Sequence, residues 1–262
     1  YEDNGFFLKK GGLEICRTDD DARWEELKRK VESGKAFGTN VRLISAAEAK
    51  EKFPLLDEGS IRGAMWDPDA GLVTPRSQDV VNFAVETAKD KGALKTFTDT
   101  PATGFEIEGG RITGVKTEKG LIRTNKAVIT SGIWGPLMGD MAGVPVPLMP
   151  VEHPLLFFGP LPEIQGTEEL LVYPLLRDQG NSAYVRDTGR LHGGMLEWGY
   201  YEDKKPRLVD PMDIGNPEKT MISDSMRYLN LEEVAEPLEK AFETTPILNE
   251  LGWDEKSSFN GL

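Results

Sequence analysis

Only between Lys126 and Ala142, in KAVITSGIWGPLMGDMA, does the chain set an apolar strand, a turn of small residues and a helix in direct succession. Such a turn leaves the first helical N–H groups without partners inside the helix, so they can face an anionic group. A nucleotide-type fold ordinarily opens on a glycine-rich version of this device, and no GxGxxG spacing occurs before it here. Gly11-Gly12 falls between the two β-prone runs of FFLKKGGLEICR and predicts a hairpin, while Gly109-Gly110 falls in a polar turn. The sequence therefore reads as the late part of a nucleotide-type fold whose front lies outside it.

The rest of the chain supplies enough regular structure for a sizeable core. DDDARWEELKRKVESG predicts a helix, with Trp24, Leu27 and Val31 at helical spacing and Gly34 as its stop. In NVRLISAAEAKEKFPLL a short strand leads into a helix that Ser45 caps, Glu48 supports three residues on, and Pro54 ends. Gln78 to Ala88 predicts another helix, and LKTFTDT, ATGFEIEG and RITGVKTEKG predict a small meander. That meander feeds a last strand at Ala127, Val128 and Ile129, apolar without alternation, as expected where both faces are covered.

After residue 143 the prolines of VPVPLMPVEHPLLFFGPLP mark a boundary, beyond which LLVYPLL, NSAYVRD and HGGMLEWGYY predict antiparallel strands. LEEVAEPLEKAF predicts a helix broken or kinked at Pro237. The fold class expected is α+β (mixed α/β), an incomplete nucleotide fold joined to an antiparallel-sheet domain. The expected division is 1–62 and 147–250 for the sheet domain, 63–146 for the nucleotide-fold part, and 251–262 for a return to it.

Composition narrows the partners. A formal net charge of -13 offers little counterion release to a polyanion, which argues against nucleic acid. The single Cys16 excludes an internal disulfide and a multi-thiolate metal site, so no metal is expected. No run is long and apolar enough for a membrane helix, and with no secretory signal at Tyr1 the cytoplasm is the expected location.

Read together, DAGLVTP at 69–75, the meander, SGIW at 131–134, PVEH at 150–153 and SAYVR at 182–186 resemble the FAD-dependent amine oxidoreductases. That group includes dimethylglycine oxidase and sarcosine dehydrogenase within the glycine and D-amino-acid oxidase superfamily. The resemblance covers nearly the whole chain but only the middle of such an enzyme. It implies FAD as cofactor, a small methylated amino acid or amine as substrate, and oxidative demethylation as the reaction. An oxidase of another secondary amine or D-amino acid, and a non-catalytic scaffold, remain alternatives. It also allows tetrahydrofolate in a companion domain and implies that this segment alone holds little FAD and is inactive.

On the cofactor side the resemblance points to Ala102 and Thr103, near the adenine, and to Ser131, Gly132, Ile133 and Trp134. Trp134 either closes over the cofactor or packs its helix. On the substrate side it points to His153 and Tyr184 as catalytic residues, with Arg186 on the same strand as a carboxylate ligand. His192, followed by two glycines, reads as a turn residue, and Cys16 as a buried small residue rather than a flavin attachment point. The PLLFF that follows His153 departs from the family phrase and leaves the amine open: sarcosine, dimethylglycine or another methylated amino acid.

Overall fold

A computed structural model describes residues 5–202 and 205–262. In chain order the elements are β1 (Phe7–Lys9), β2 (Gly12–Arg17), α1 (Asp21–Ala36), β3 (Arg42–Ser45), α2 (Ala46–Lys52), β4 (Ile61–Asp67), β5 (Gly71–Val73) and α3 (Ser77–Asp90). A meander of β6 (Ala102–Glu108), β7 (Arg111–Thr117) and β8 (Gly120–Arg123) precedes α4 (Gly135–Ala142) and β9 (Val151–Phe158). There follow β10 (Leu175–Asp178), β11 (Ala183–Asp187), β12 (Leu196–Tyr200), β13 (Arg207–Leu208), β14 (Met226–Arg227), α5 (Leu231–Thr244), α6 (Ile247–Leu251) and β15 (Phe259–Gly261). The chain is thus mixed α/β, and it divides into two compact units. Of the described residues, one comprises 5–83, 153–202 with 205, and 229–261; the other is mainly 84–152 and 206–228. Residues 63–83 accordingly pack with the larger unit, because β4 pairs with β2 and β3, and β5 pairs with β1.

The larger unit is built on one sheet, in the order β15-β9-β12-β11-β10-β2-β4-β3. Its pairs are antiparallel except β10 with β2. Alternation along β11 sends Ala183 and Val185 into the core and Tyr184 and Arg186 to the other face. Leu156, Phe158, Leu196 and Trp198 fill that core at 0–1% exposure, each contributing roughly 1.5–3 kcal/mol by burial. The two faces thus divide the labour, one packing the unit and the other free for chemistry.

Helix caps follow the sequence closely. The Ser45 Oγ accepts the Glu48 N–H at 3.1 Å, and Asp20 accepts the Arg23 N–H at 2.8 Å. α1 runs on through Gly34 to Ala36, because its buried Leu27 and Val31 hold the helix to the sheet more strongly than one glycine weakens it. α5 likewise passes through Pro237 without a break. Val234, Leu238, Ala241 and Phe242 dock it on the core, and the Pro237 carbonyl accepts the Asn181 side-chain amide at 3.0 Å.

Three expected strand features are corrected. The Gly11-Gly12 hairpin does not form: Gly11 adopts φ +82, and the Lys10 and Gly11 N–H groups both bind the Ala70 carbonyl, so β1 joins β5 and β2 joins β4 and β10. LKTFTDT is irregular, leaving the meander to β6, β7 and β8. Ala127 to Ile129 forms no strand, and Val128 is 83% exposed. A doubly covered strand needs partners on both edges, and no described residue pairs with it.

Candidate functional site

The face of the larger sheet opposite the core gathers its chemistry by register. Tyr184 on β11 lies opposite Arg177 on β10 and opposite Gly199 on β12, and Gly199 lies opposite Leu155 on β9. Two residues further along β9 and past the end of β12 come His153 and Tyr201. The Tyr201 ring is 4.8 Å from the His153 ring, edge on, and 5.9 Å from the Tyr184 ring. The structure therefore brings His153 and Tyr184 to one face and inserts Tyr201, absent from the sequence reading, between them. Tyr201 follows β12 directly, a position whose partner only strand pairing reveals.

Electrostatics give these groups distinct characters. Burial lowers the His153 pKa below its ordinary 6.5, which favours a neutral imidazole. Its Nδ1 is buried and has no hydrogen-bond partner among the described residues. The Tyr184 phenol is pushed up to about 12, by burial first and by the Glu197 carboxylate next, and stays a hydrogen-bond donor at neutral pH. Its ring fills the space beside Gly199, where a Cβ would stand only 2.1 Å from Tyr184 Cζ. A glycine is the residue that lets this ring sit there.

Arg186 shares the face but is engaged. Its Nε and Nη2 donate to the two Glu197 oxygens at 3.0 and 2.7 Å across the β11–β12 pair. Burial opposes the guanidinium charge, yet the Glu197 bonds outweigh it and raise the Arg186 pKa. The pair is neutral as a unit, which weakens Arg186 as an anion ligand. Arg186 also borders a cavity of about 660 Å³ with Arg76, Leu170, Asp187 and His192. Asp187 there is committed to structure, accepting the Val172, Tyr173 and Gly189 N–H groups at 2.8–3.0 Å. His192 is exposed, its ring 5.5 Å from Phe157, in the short helical turn Gly189–His192.

The residues expected on the cofactor side all fall in the smaller unit. Gly132–Trp134 form a single turn of 3-10 helix leading into α4, and Ala102 and Thr103 open β6, against which α4 packs. The Ser131 Oγ is buried without a partner, and Gly132 takes φ +55 with open space where a Cβ would point. An orphaned hydroxyl beside an unobstructed glycine at a helix entry fits one edge of a polar cofactor such as FAD. Trp134 is 39% exposed, so its indole is not simply core.

Cys16 is fully buried, its thiol directed at the Asp20 carbonyl at 3.2 Å and pushed up to about 11 chiefly by burial. A thiol so protonated and enclosed is inert. Among the described residues no cluster of three His, Cys, Asp or Glu could hold a metal, and no helix is long and apolar enough to cross a membrane.

Human sarcosine dehydrogenase, mitochondrial, is 31% identical over 201 residues, which are 75% of this chain and 20% of that protein. Dimethylglycine dehydrogenase, mitochondrial, of Rattus norvegicus is 25% identical over 242 residues, 92% of this chain and 27% of that protein. The chain thus spans only a fifth to about a quarter of these curated relatives. The crystal structure of L-proline dehydrogenase from P. horikoshii superposes with a TM-score of 0.76 at 28% identity, covering 99% of this chain and 62% of that one. The family model described as FAD dependent oxidoreductase matches residues 2–261, and the chain belongs to that family.

Proposed function

We propose that the protein containing this chain is an FAD-dependent oxidoreductase that oxidatively demethylates an N-methyl amino acid such as dimethylglycine or sarcosine. One observation carries the reading: a half-buried imidazole at His153, its pKa lowered by burial, lies beside Tyr201, which lies beside Tyr184, on a single sheet face of a chain from this family. When bound, FAD supplies a two-electron acceptor. Ser131 to Trp134, with the backbone of Ala102 and Thr103, would hold it.

The chain's own residues prepare the amine. An N-methyl ammonium cannot give up hydride while its nitrogen lone pair is protonated. His153, its pKa lowered and so neutral at pH 7, takes that proton on its imidazole. Tyr184 donates its phenol hydrogen toward the substrate carboxylate, and the rings of Tyr184 and Tyr201 exclude water from the reacting carbon. Loss of hydride from the N-methyl carbon to the two-electron acceptor leaves an iminium that water hydrolyses to the demethylated amine, formaldehyde and a proton.

The test is anaerobic reduction of the flavin in the full-length protein by a substrate panel. Dimethylglycine and sarcosine are expected to bleach the flavin absorbance faster than glycine, D-alanine or L-proline. Bleaching led by one of the latter three would move the reading to another amine or amino acid, and a parent protein without flavin would move it to a scaffold.

A further inference from the structure

We infer that Leu155 is the residue that decides between N,N-dialkyl and N-monoalkyl amino acids, favouring the former; this rests on the amine-oxidation reading above. Leu155 lies two residues beyond His153 on β9, so both side chains leave the same face, while Leu156 and Phe158 turn into the core. It falls in the PLLFF stretch, where the chain departs from its family's phrase. Its register partners are Phe259 on β15 and Gly199 on β12. Leu155 and Phe259 are each half-buried, and neither belongs to the core. Large apolar side chains thus stand beside the imidazole without serving to pack the unit.

Gly199 brings the phenol within reach of this wall. Having no side chain, it leaves its place to the Tyr184 ring, whose hydroxyl lies 2.3 Å from where a Gly199 Cβ would stand. Directly opposed Cβ positions on antiparallel strands are about 5 Å apart, so the Tyr184 hydroxyl lies about one strand spacing from Leu155. A substrate whose nitrogen meets His153 and whose carboxylate meets Tyr184 therefore lies along Leu155. Leu155 and Phe259 offer no side-chain hydrogen-bond partner, so an N–H directed at them is left unpaired, whereas a second N-alkyl group there gains apolar burial. One methyl group in such a site is worth about 10- to 200-fold in discrimination.

The experiment uses the full-length flavoprotein, with Leu155→Asn as a near-isosteric polar replacement and Leu155→Met as the conservative one, both checked for unchanged thermal unfolding. Two readouts are taken: calorimetric binding of isovalerate and butyrate, the inert carbon isosteres of dimethylglycine and sarcosine, and steady-state oxidation of the two amines themselves. Wild type is expected to prefer isovalerate over butyrate, and dimethylglycine over sarcosine, by about 10-fold or more. Leu155→Asn is expected to erase both preferences through a raised KM for dimethylglycine, with kcat and the sarcosine KM little changed, and Leu155→Met to retain them. A wild type that prefers butyrate and sarcosine overturns the assignment without any variant, and so does the same ratio in wild type and Leu155→Asn. A Leu155-dependent preference for isovalerate without turnover of either amine would sustain the wall while refuting amine oxidation.

Discussion

Replacing Gly199 by alanine is expected to abolish most of the activity of the full-length protein by displacing the Tyr184 ring, with no substrate-contacting residue itself replaced. The added Cβ would stand 2.1 Å from Tyr184 Cζ, 2.3 Å from its hydroxyl and 2.4 Å from Cε1. All are far inside contact distance, so the ring must leave its place. Overpacking of this kind costs about 1–3 kcal/mol of stability, and misplacing a positioning group by an ångström costs about 100-fold in rate. A double-mutant cycle isolates the cause. In a Tyr184→Ala background there is no ring to displace, so Gly199→Ala should then change stability little. Equal costs in both backgrounds, measured by denaturant unfolding, would show that Gly199 is constrained by something other than Tyr184.

His153→Gln is expected to lower kcat/KM for an N-methyl amino acid by about 10²- to 10⁴-fold, the range of general acid–base catalysis. Its pH behaviour separates proton transfer from loss of packing. Burial depresses the His153 pKa, so the wild-type rate should fall only as pH drops below 6.5, where the imidazole becomes protonated. In the variant that acid limb should vanish, and rate should return at alkaline pH, where the substrate nitrogen loses its proton unaided. The same depression has a stability consequence. Just below pH 6.5 the unfolded chain binds more protons than the folded one, so this contribution is present above 6.5 and is lost as pH falls toward the folded value. A variant with a near wild-type rate and an unchanged acid limb would remove His153 from the chemistry.

Local signals in the sequence carried far. The Ser45–Glu48 cap, the helices at 21–36 and 77–90 and the strands after 150 follow from periodicity and capping. The α+β class stands too: an antiparallel substrate-type sheet with part of an FAD-binding nucleotide fold, as family membership implies. What escaped the sequence depends on partners distant along the chain. The ring platform at Gly199, the insertion of Tyr201 and the engagement of Arg186 by Glu197 all arise from strand register, which no single segment encodes. Val128 failed for the opposite reason. Its segment has the composition of a buried strand, but composition cannot supply the neighbouring strands that would bury it.

The central claim, that this face presents an N-methyl group for oxidation, is tested most directly by isotopic substitution in the full-length flavoprotein. Anaerobic stopped-flow absorbance would follow flavin reduction by sarcosine deuterated either in its N-methyl group or at its α-carbon. The account predicts marked slowing with N-methyl deuterium and none with α-deuterium. Slowing by α-deuterium alone would mean that hydride leaves the α-carbon, and would contradict it.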